Sequence, residues 1–433
     1  MTGLLTGMLM VGGASANAES AVKASLNGDV KSFFVSTIPY DNALFESVGL
    51  MPSEPVAQGI LDGRIKASVS HGAVRFLAHH SLTATSGGPV FATGQTGLGV
   101  QSPQFVDLTW DGIDDAEDPN AMTLTGRVDR LSMSVDAGPL TMKAGRQPIT
   151  LGHGLTFTPL DLVNPFFPTT VDQEYKPGVD AITADLFVGT ATQFSVMTAY
   201  AHPEPVKDAD DWGVDGMVHA VYAQHTLGGA DVGVLVGSVQ GDGVMGGTVA
   251  TAIGPVAVHA DATYTRPEGD REDPFVRAVV GALWAATGEL TVSGEAYHQS
   301  LGASDPQRYL TQLSGERYAR GELWLAGQTY ASASLGYQFT PLILGTVAVI
   351  GNALDGSALV APNAVVSVSD EVQLVMGGFI GRGDRPAVVD LADLLDPETG
   401  LPLTGDALNA SVGVRSEFGL YPSSVYVQMK AYF

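Results

Sequence analysis

The chain ends on a strict alternation. Val425, Val427, Met429, Ala431 and Phe433 share one parity, and Ser424, Tyr426, Gln428, Lys430 and Tyr432 share the other. Successive side chains of a strand point to opposite faces, so a period of two defines a strand with one apolar and one polar side. Such a strand closes either a half-buried sheet in water or a barrel with lipid outside and water inside. The segment alone does not choose between them. Its recurrence does.

Leu61, Gly63, Ile65, Ala67 and Val69 oppose Asp62, Arg64, Lys66 and Ser68; Val74, Phe76, Ala78 and His80 oppose Arg75, Leu77, His79 and Ser81. Val256, Val258, Ala260, Ala262 and Tyr264 oppose His259, Asp261 and Thr263. Val276, Val280 and Trp284 oppose Arg277, and Val292, Gly294 and Ala296 oppose Glu295 and Tyr297. Strands of about ten residues with their charges on one face suit a transmembrane antiparallel β-barrel with a polar lumen. Tight connections near Gly72, Gly138, Thr190, Gly228, Gly254, Gly288, Pro341 and Asp370 alternate with longer ones at 39–58, 86–120, 150–178, 202–213 and 301–316. That rhythm matches short turns at one mouth and long loops at the other, and it demands an even strand count.

We count 18 strands, with 16 and 20 as the neighbouring options. Residues 320–339 keep one phase and read as a single long strand. The phase slip in 410–433 reads as a bulge at Gly419 to Pro422 in one long final strand, which leaves Phe433 beside the first strand near 26–34. The apolar phase also switches from Leu124 and Val128 to Leu131 and Met133, marking a bulge or turn around Arg127, Asp129 and Arg130.

Residues 4–11 are a short apolar core, followed by Ala16-Asn17-Ala18 before Glu19. This reads as a signal peptide over 1–18, leaving one barrel domain over 19–433. No later stretch approaches the length of a membrane-spanning helix. Without cysteine there are no disulfides and no thiol to lipidate. The formal charge of −25 repels phosphates and argues against a nucleic-acid partner. Its acidic runs at 111–118, 208–215, 268–273 and 390–398 read as solvated loop surface without the spacing of a calcium site.

One stretch breaks the rhythm. Residues 145–181 hold Pro148, Pro159, Pro165, Pro168 and Pro177, which prevent a regular strand, and Phe157, Phe166, Phe167 and Tyr175, which disfavour a solvated loop. The segment 147–178 is therefore expected either to fold into the barrel mouth and narrow it or to pack as an outer loop on its neighbours. Arg146, Asp161, Phe166, Phe167, Asp172, Glu174 and Lys176 are its candidate constriction residues. Arg146 falls on the apolar phase of Met142 and Ala144, where a strand-end position would let it reach lipid headgroups. Arg64, Lys66, Arg75, Lys143, Asp261, Arg277, Glu295, Glu322 and Lys430 are expected to face the lumen, giving it mixed charge.

The strings GRQ, LGHG, PLDLVNPF and EYKPGVDA, with the terminal SEFGLYPSSVYVQMKAYF, resemble a porin-like group of bacterial outer-membrane barrels that includes alginate-export channels. The resemblance implies a channel for small hydrophilic solutes or ions. Its alternatives are a conduit for surface polysaccharide, with periplasmic export proteins as partners, and a non-conducting structural barrel. It also implies outer-membrane lipids and lipopolysaccharide as surroundings, and assembly machinery that reads Tyr432 and Phe433. No hydrolase elbow, zinc-protease helix, P-loop or dinucleotide fingerprint is present, so neither an enzyme nor a cofactor is expected. His79 and His80 point to opposite faces and cannot share a metal ion.

Overall fold

The computed structural model describes residues 22–40, 54–88, 104–113, 122–201, 216–269, 272–386 and 413–433. The signal-peptide reading and the acidic runs at 208–215 and 390–398 lie outside the described residues, as does most of the run at 111–118.

The first strands are β1 (Lys23–Ile38), β2 (Val56–His71), β3 (Val74–Gly87), β4 (Thr109–Ile113), β5 (Thr123–Ala137) and β6 (Leu140–Gln147). Next come β7 (Val179–Val188), β8 (Thr192–Tyr200), β9 (Met217–Leu227), β10 (Ala230–Val239), β11 (Asp242–Ile253) and β12 (Val256–Arg266). The series ends with β13 (Phe275–Ala285), β14 (Leu290–Gln299), β15 (Thr329–Thr340), β16 (Ile343–Asn352), β17 (Ala358–Ser367), β18 (Val372–Arg382) and β19 (Ser423–Tyr432). β3 pairs directly with β5, while the short β4 pairs only with the long-loop end of β5. The ring therefore has 18 antiparallel strands, closed by β19 on β1 from Ser423 opposite Ile38 to Tyr432 opposite Asp29. Phe433 and Gly28 exchange both backbone hydrogen bonds, at 3.0 and 2.8 Å. No helix among the described residues is long and apolar enough to cross a membrane.

Alternation places the side chains as the period of two requires. Phe34, Leu61, Ile65, Val234, Val280 and Met429 project outward and are exposed, while Lys31, Arg64, Asp261, Glu295 and Gln428 project inward and are buried. The phase switch in β5 is a bulge: His79 faces Arg130 and His80 faces Val128, so Asp129 is skipped. Asp129 and its neighbour Arg130 are thereby both turned inward.

Two expected strand limits are corrected. β15 begins at Thr329, not near residue 320. The apolar phase continues through Leu323 and Leu325, but these are 0% and 2% exposed inside the barrel, Leu325 in one apolar cluster with Tyr330 and Phe418. The final strand begins at Ser423 and contains no bulge; residues 417–420 form a turn ahead of it. The chain needs no bulge because β18 already lies beside β19, and Glu417 draws this turn inward toward Tyr330 and Asn352.

Candidate functional site: an inward loop tied across the lumen

The connection 148–178 between β6 and β7 makes polar contacts with strands all around the ring. Only a segment inside the barrel can do this.

Its first anchor lies on β12 and β14. Asp261 Oδ2 accepts the backbone N–H groups of His153 and Gly154 at 2.7 and 2.9 Å. Glu295 accepts those of Leu155, Thr156 and Phe157 at 2.6, 2.8 and 3.1 Å. Charged acceptors form the stronger class of hydrogen bond, and here two carboxylates hold five successive amides. The chain passes so near Asp261 that a Cβ on Gly152 would sit 2.6 Å from Oδ2, and Gly152 has a φ of +86°. Both requirements are met by glycine. His259 on β12 steadies the second acceptor, its Nε2 lying 2.8 Å from Glu295 Oε1. Phe157 then stacks on Tyr297 with ring centroids 4.7 Å apart.

The second anchor crosses the closing seam. Lys31 on β1 donates to Asp172 at 2.6 Å and to Glu174 at 3.2 Å. Lys430 on β19 lies 3.4 and 3.1 Å from the same two carboxylates. Gln428 donates to Asp172 at 3.0 Å, and the Tyr432 hydroxyl to Glu174 at 2.8 Å. Burial alone would raise the Asp172 and Glu174 carboxyls, but the two ammonium groups outweigh it and hold both below their ordinary range.

The third anchor is aromatic. Tyr175 lies between the guanidinium groups of Arg64 and Arg130, 3.9 and 4.1 Å from its ring centroid. Its hydroxyl meets His79 Nδ1 at 2.7 Å, and Arg130 also donates to Lys176 O at 2.9 Å. Within the loop, Lys176 donates to Asp161 and to Ile149 O, each at 2.5 Å. Burial pushes the Asp161 carboxyl up to about 6 against the pull of Lys176. One cation does not offset the desolvation that two cations offset at Asp172.

Of the expected constriction residues, Asp161, Asp172, Glu174 and Lys176 lie inside the barrel in these anchors. Phe166 lines a crevice between this loop and the connection 300–328, with Arg277, Gln299, Glu322 and Trp324 on its other walls. Phe167 packs on Trp324 at a centroid distance of 4.6 Å. Arg146 is elsewhere. It stands on the outward face at the long-loop end of β6, beside Asp180 on β7, which it meets through Nε and Nη2 at 2.9 Å. The segment 104–108 covers the pair: Val106 O accepts from Arg146, and Asp180 accepts from the Phe105 and Val106 amides. That cover leaves Arg146 only 2% exposed although it points away from the lumen. Its apolar phase places it there.

Arg64, Lys66, Asp261, Arg277, Glu295 and Lys430 project inward. Arg64 bonds Asp129 at 3.0 Å and lies 3.5 Å from Asp62, while Lys66 pairs with Asp29. Arg75 and Lys143 share the inward parity and flank Ser134 in one row of the sheet, with no ion pair among the described residues. Glu322 is in the 300–328 connection rather than on a strand; its carboxylate bonds Arg317 at 2.8 Å and its carbonyl accepts from Arg277 at 3.1 Å. The sequence reading missed Lys31, Asp129 and Gln428 as partners, although their inward parity was available.

No protein-family model matches the chain, and no curated protein does. Solved structures do match over nearly the whole length. A BenF-like porin from Pseudomonas fluorescens Pf-5 superposes with a TM-score of 0.55 at 9% identity, covering 95% of this chain and 98% of that one. The outer-membrane protein OpdK from Pseudomonas aeruginosa gives 0.52 at 10% identity, with coverage of 95% and 98%. OccK2 (OpdF) of Pseudomonas aeruginosa, solved in complex with glucuronate, gives 0.52 at 8% identity over 95% and 98%. The chain therefore has a porin-like β-barrel fold. The alginate-export side of the resemblance finds no support in these neighbours.

Proposed function

We propose that this protein is a passive channel of the bacterial outer membrane for small hydrophilic solutes, without catalytic activity. One observation carries the reading: the loop 148–178 crosses a polar interior and is tied there by ions and aromatics from opposite sides of the ring. A loop so held narrows a lumen and sets its charge, which is how channels combine throughput with selection. The porin names of the structural neighbours support the same reading. Glucuronate in one of them suggests a carboxylated sugar as one permeant class, and the inward Arg75 and Arg130, which lie outside the cavity described below, would receive its charge.

In this reading the short turns face the periplasm and the long loops face the exterior. Lipid and lipopolysaccharide contact the outward apolar belt, and assembly machinery reads Tyr432 and Phe433. Reconstitution into a planar bilayer tests the proposal. Discrete conductance steps support it, and a correctly folded barrel that stays silent rejects it in favour of a structural role.

A further inference from the structure

Beneath the first residues of the loop lies a cavity of about 440 Å³, walled by the inward faces of β6 to β9 and roofed by residues 148–153. Its size falls in the range of roughly 300–1,000 Å³ typical of small-molecule sites. The loop covers one side, and Thr141, Asp185, Gln193 and Gln224, near the short-turn ends of β6 to β9, line the other. By contrast, the crevice between Phe166 and Trp324 offers only about 20 Å³, the space of a water molecule.

We propose that this cavity is a binding station for a neutral polyhydroxylated solute of mono- to disaccharide size, a proposal that rests on the channel reading and specifies its cargo. The wall is built of carboxamides and hydroxyls, among them Gln193, Gln224, Ser195 and Thr183. A carboxamide sets a donor beside an acceptor, and a vicinal diol presents the matching pair. Gln193 donates its amide hydrogens to Asp185 and Ser195 at 3.2 and 3.0 Å, which holds it in place and leaves its carbonyl oxygen to accept from a solute. The lining holds one cation, Lys143, and one carboxylate, Asp185. A solute with net charge would gain at one of these and lose at the other, whereas an uncharged polyol can hydrogen-bond to both. The more strongly cationic Arg75 and Arg130 do not line the cavity.

The test is ion-current recording on the full-length barrel with D-glucose or maltose on the short-turn side. The readout is sugar-induced interruption relative to each channel's own open current. Calorimetric titration of glucose into the detergent-solubilised barrel runs in parallel. The wild type should show saturable interruption, weakened about tenfold or more in Gln224→Leu and Gln193→Leu and largely retained in Gln224→Asn. Interruption equal in all four proteins would overturn the site. So would interruption by glucuronate alone that Lys143→Gln abolishes. A conducting barrel blind to glucose by both methods rejects the station and keeps the channel; a silent barrel that binds glucose with the same variant dependence keeps the station and rejects the channel.

Discussion

Lys31 on the first strand donates to Asp172 of the inward loop across 2.6 Å, and both side chains are 2% exposed. Lys430 on the last strand approaches the same carboxylate, so the loop is fastened at the seam where the barrel closes. One carboxylate thus serves two purposes. It fixes the inward loop, and it cross-links β1 to β19 from inside.

Asp172→Asn should therefore weaken the barrel as well as widen its passage. Removing one partner of a buried ion pair costs about 3–5 kcal/mol because the remaining charge is left uncompensated. Denaturant titration of the liposome-folded protein should show a lower midpoint, and single-channel records should become noisier. Unchanged stability would mean that the seam does not depend on this contact.

Val258 and His259 are adjacent in β12 and face opposite ways. Val258→Arg places a guanidinium in lipid at a cost of about 2–4 kcal/mol near the midplane and should lower the yield of folded barrel. His259→Arg faces Glu295 and should fold with altered ion preference. Equal damage from both changes would invert the assigned faces.

Removing Phe433 deletes two backbone bonds to Gly28 and a ring that lies across it; a Cβ on Gly28 would come within 2.5 Å of that ring. Folding into liposomes should slow, and the yield of heat-resistant barrel in cells should fall. Normal assembly without Phe433 would argue against its role as an assembly signal.

Glu417 is fully buried in the turn before β19, accepting from the Ala326 amide at 2.7 Å and from Asn352 at 2.8 Å, with Tyr330 as a third donor. Burial raises its carboxyl to about 7. A folded value above the unfolded one means the folded state holds the proton more tightly. Its contribution is complete below the unfolded value near 4.3 and is lost as pH rises through about 7. After division by the intrinsic exchange rate at each pH, protection of the Ala326 and Phe418 amides should be greater at pH 5 than at pH 8, and Glu417→Gln should flatten that difference. Protection factors that do not change with pH in the native protein would contradict it.

The barrel was legible in the sequence because a strand between lipid and water must alternate, and the skipped residue at Asp129 announced itself as a phase switch. The loops were less legible. Leu323 and Leu325 carry the apolar phase of β15 backward, yet they are apolar because they pack on other residues inside the barrel; hydrophobicity does not distinguish lipid from a filled lumen. Arg146 was legible by phase but not by environment, since its cover comes from residues 104–108, about forty positions away. Lys31, Asp261 and Glu295 acquire their roles only when the loop crosses the ring, and strand parity carries no information about that crossing.

In the channel proposed above, the loop 148–178 sets the passage through the barrel. Single-channel conductance of a variant with residues 155–175 replaced by a short Gly-Ser linker measures this most directly. Discrete channels are expected in the native protein and a several-fold larger unit conductance in the variant. A variant that folds and conducts like the native protein would contradict it.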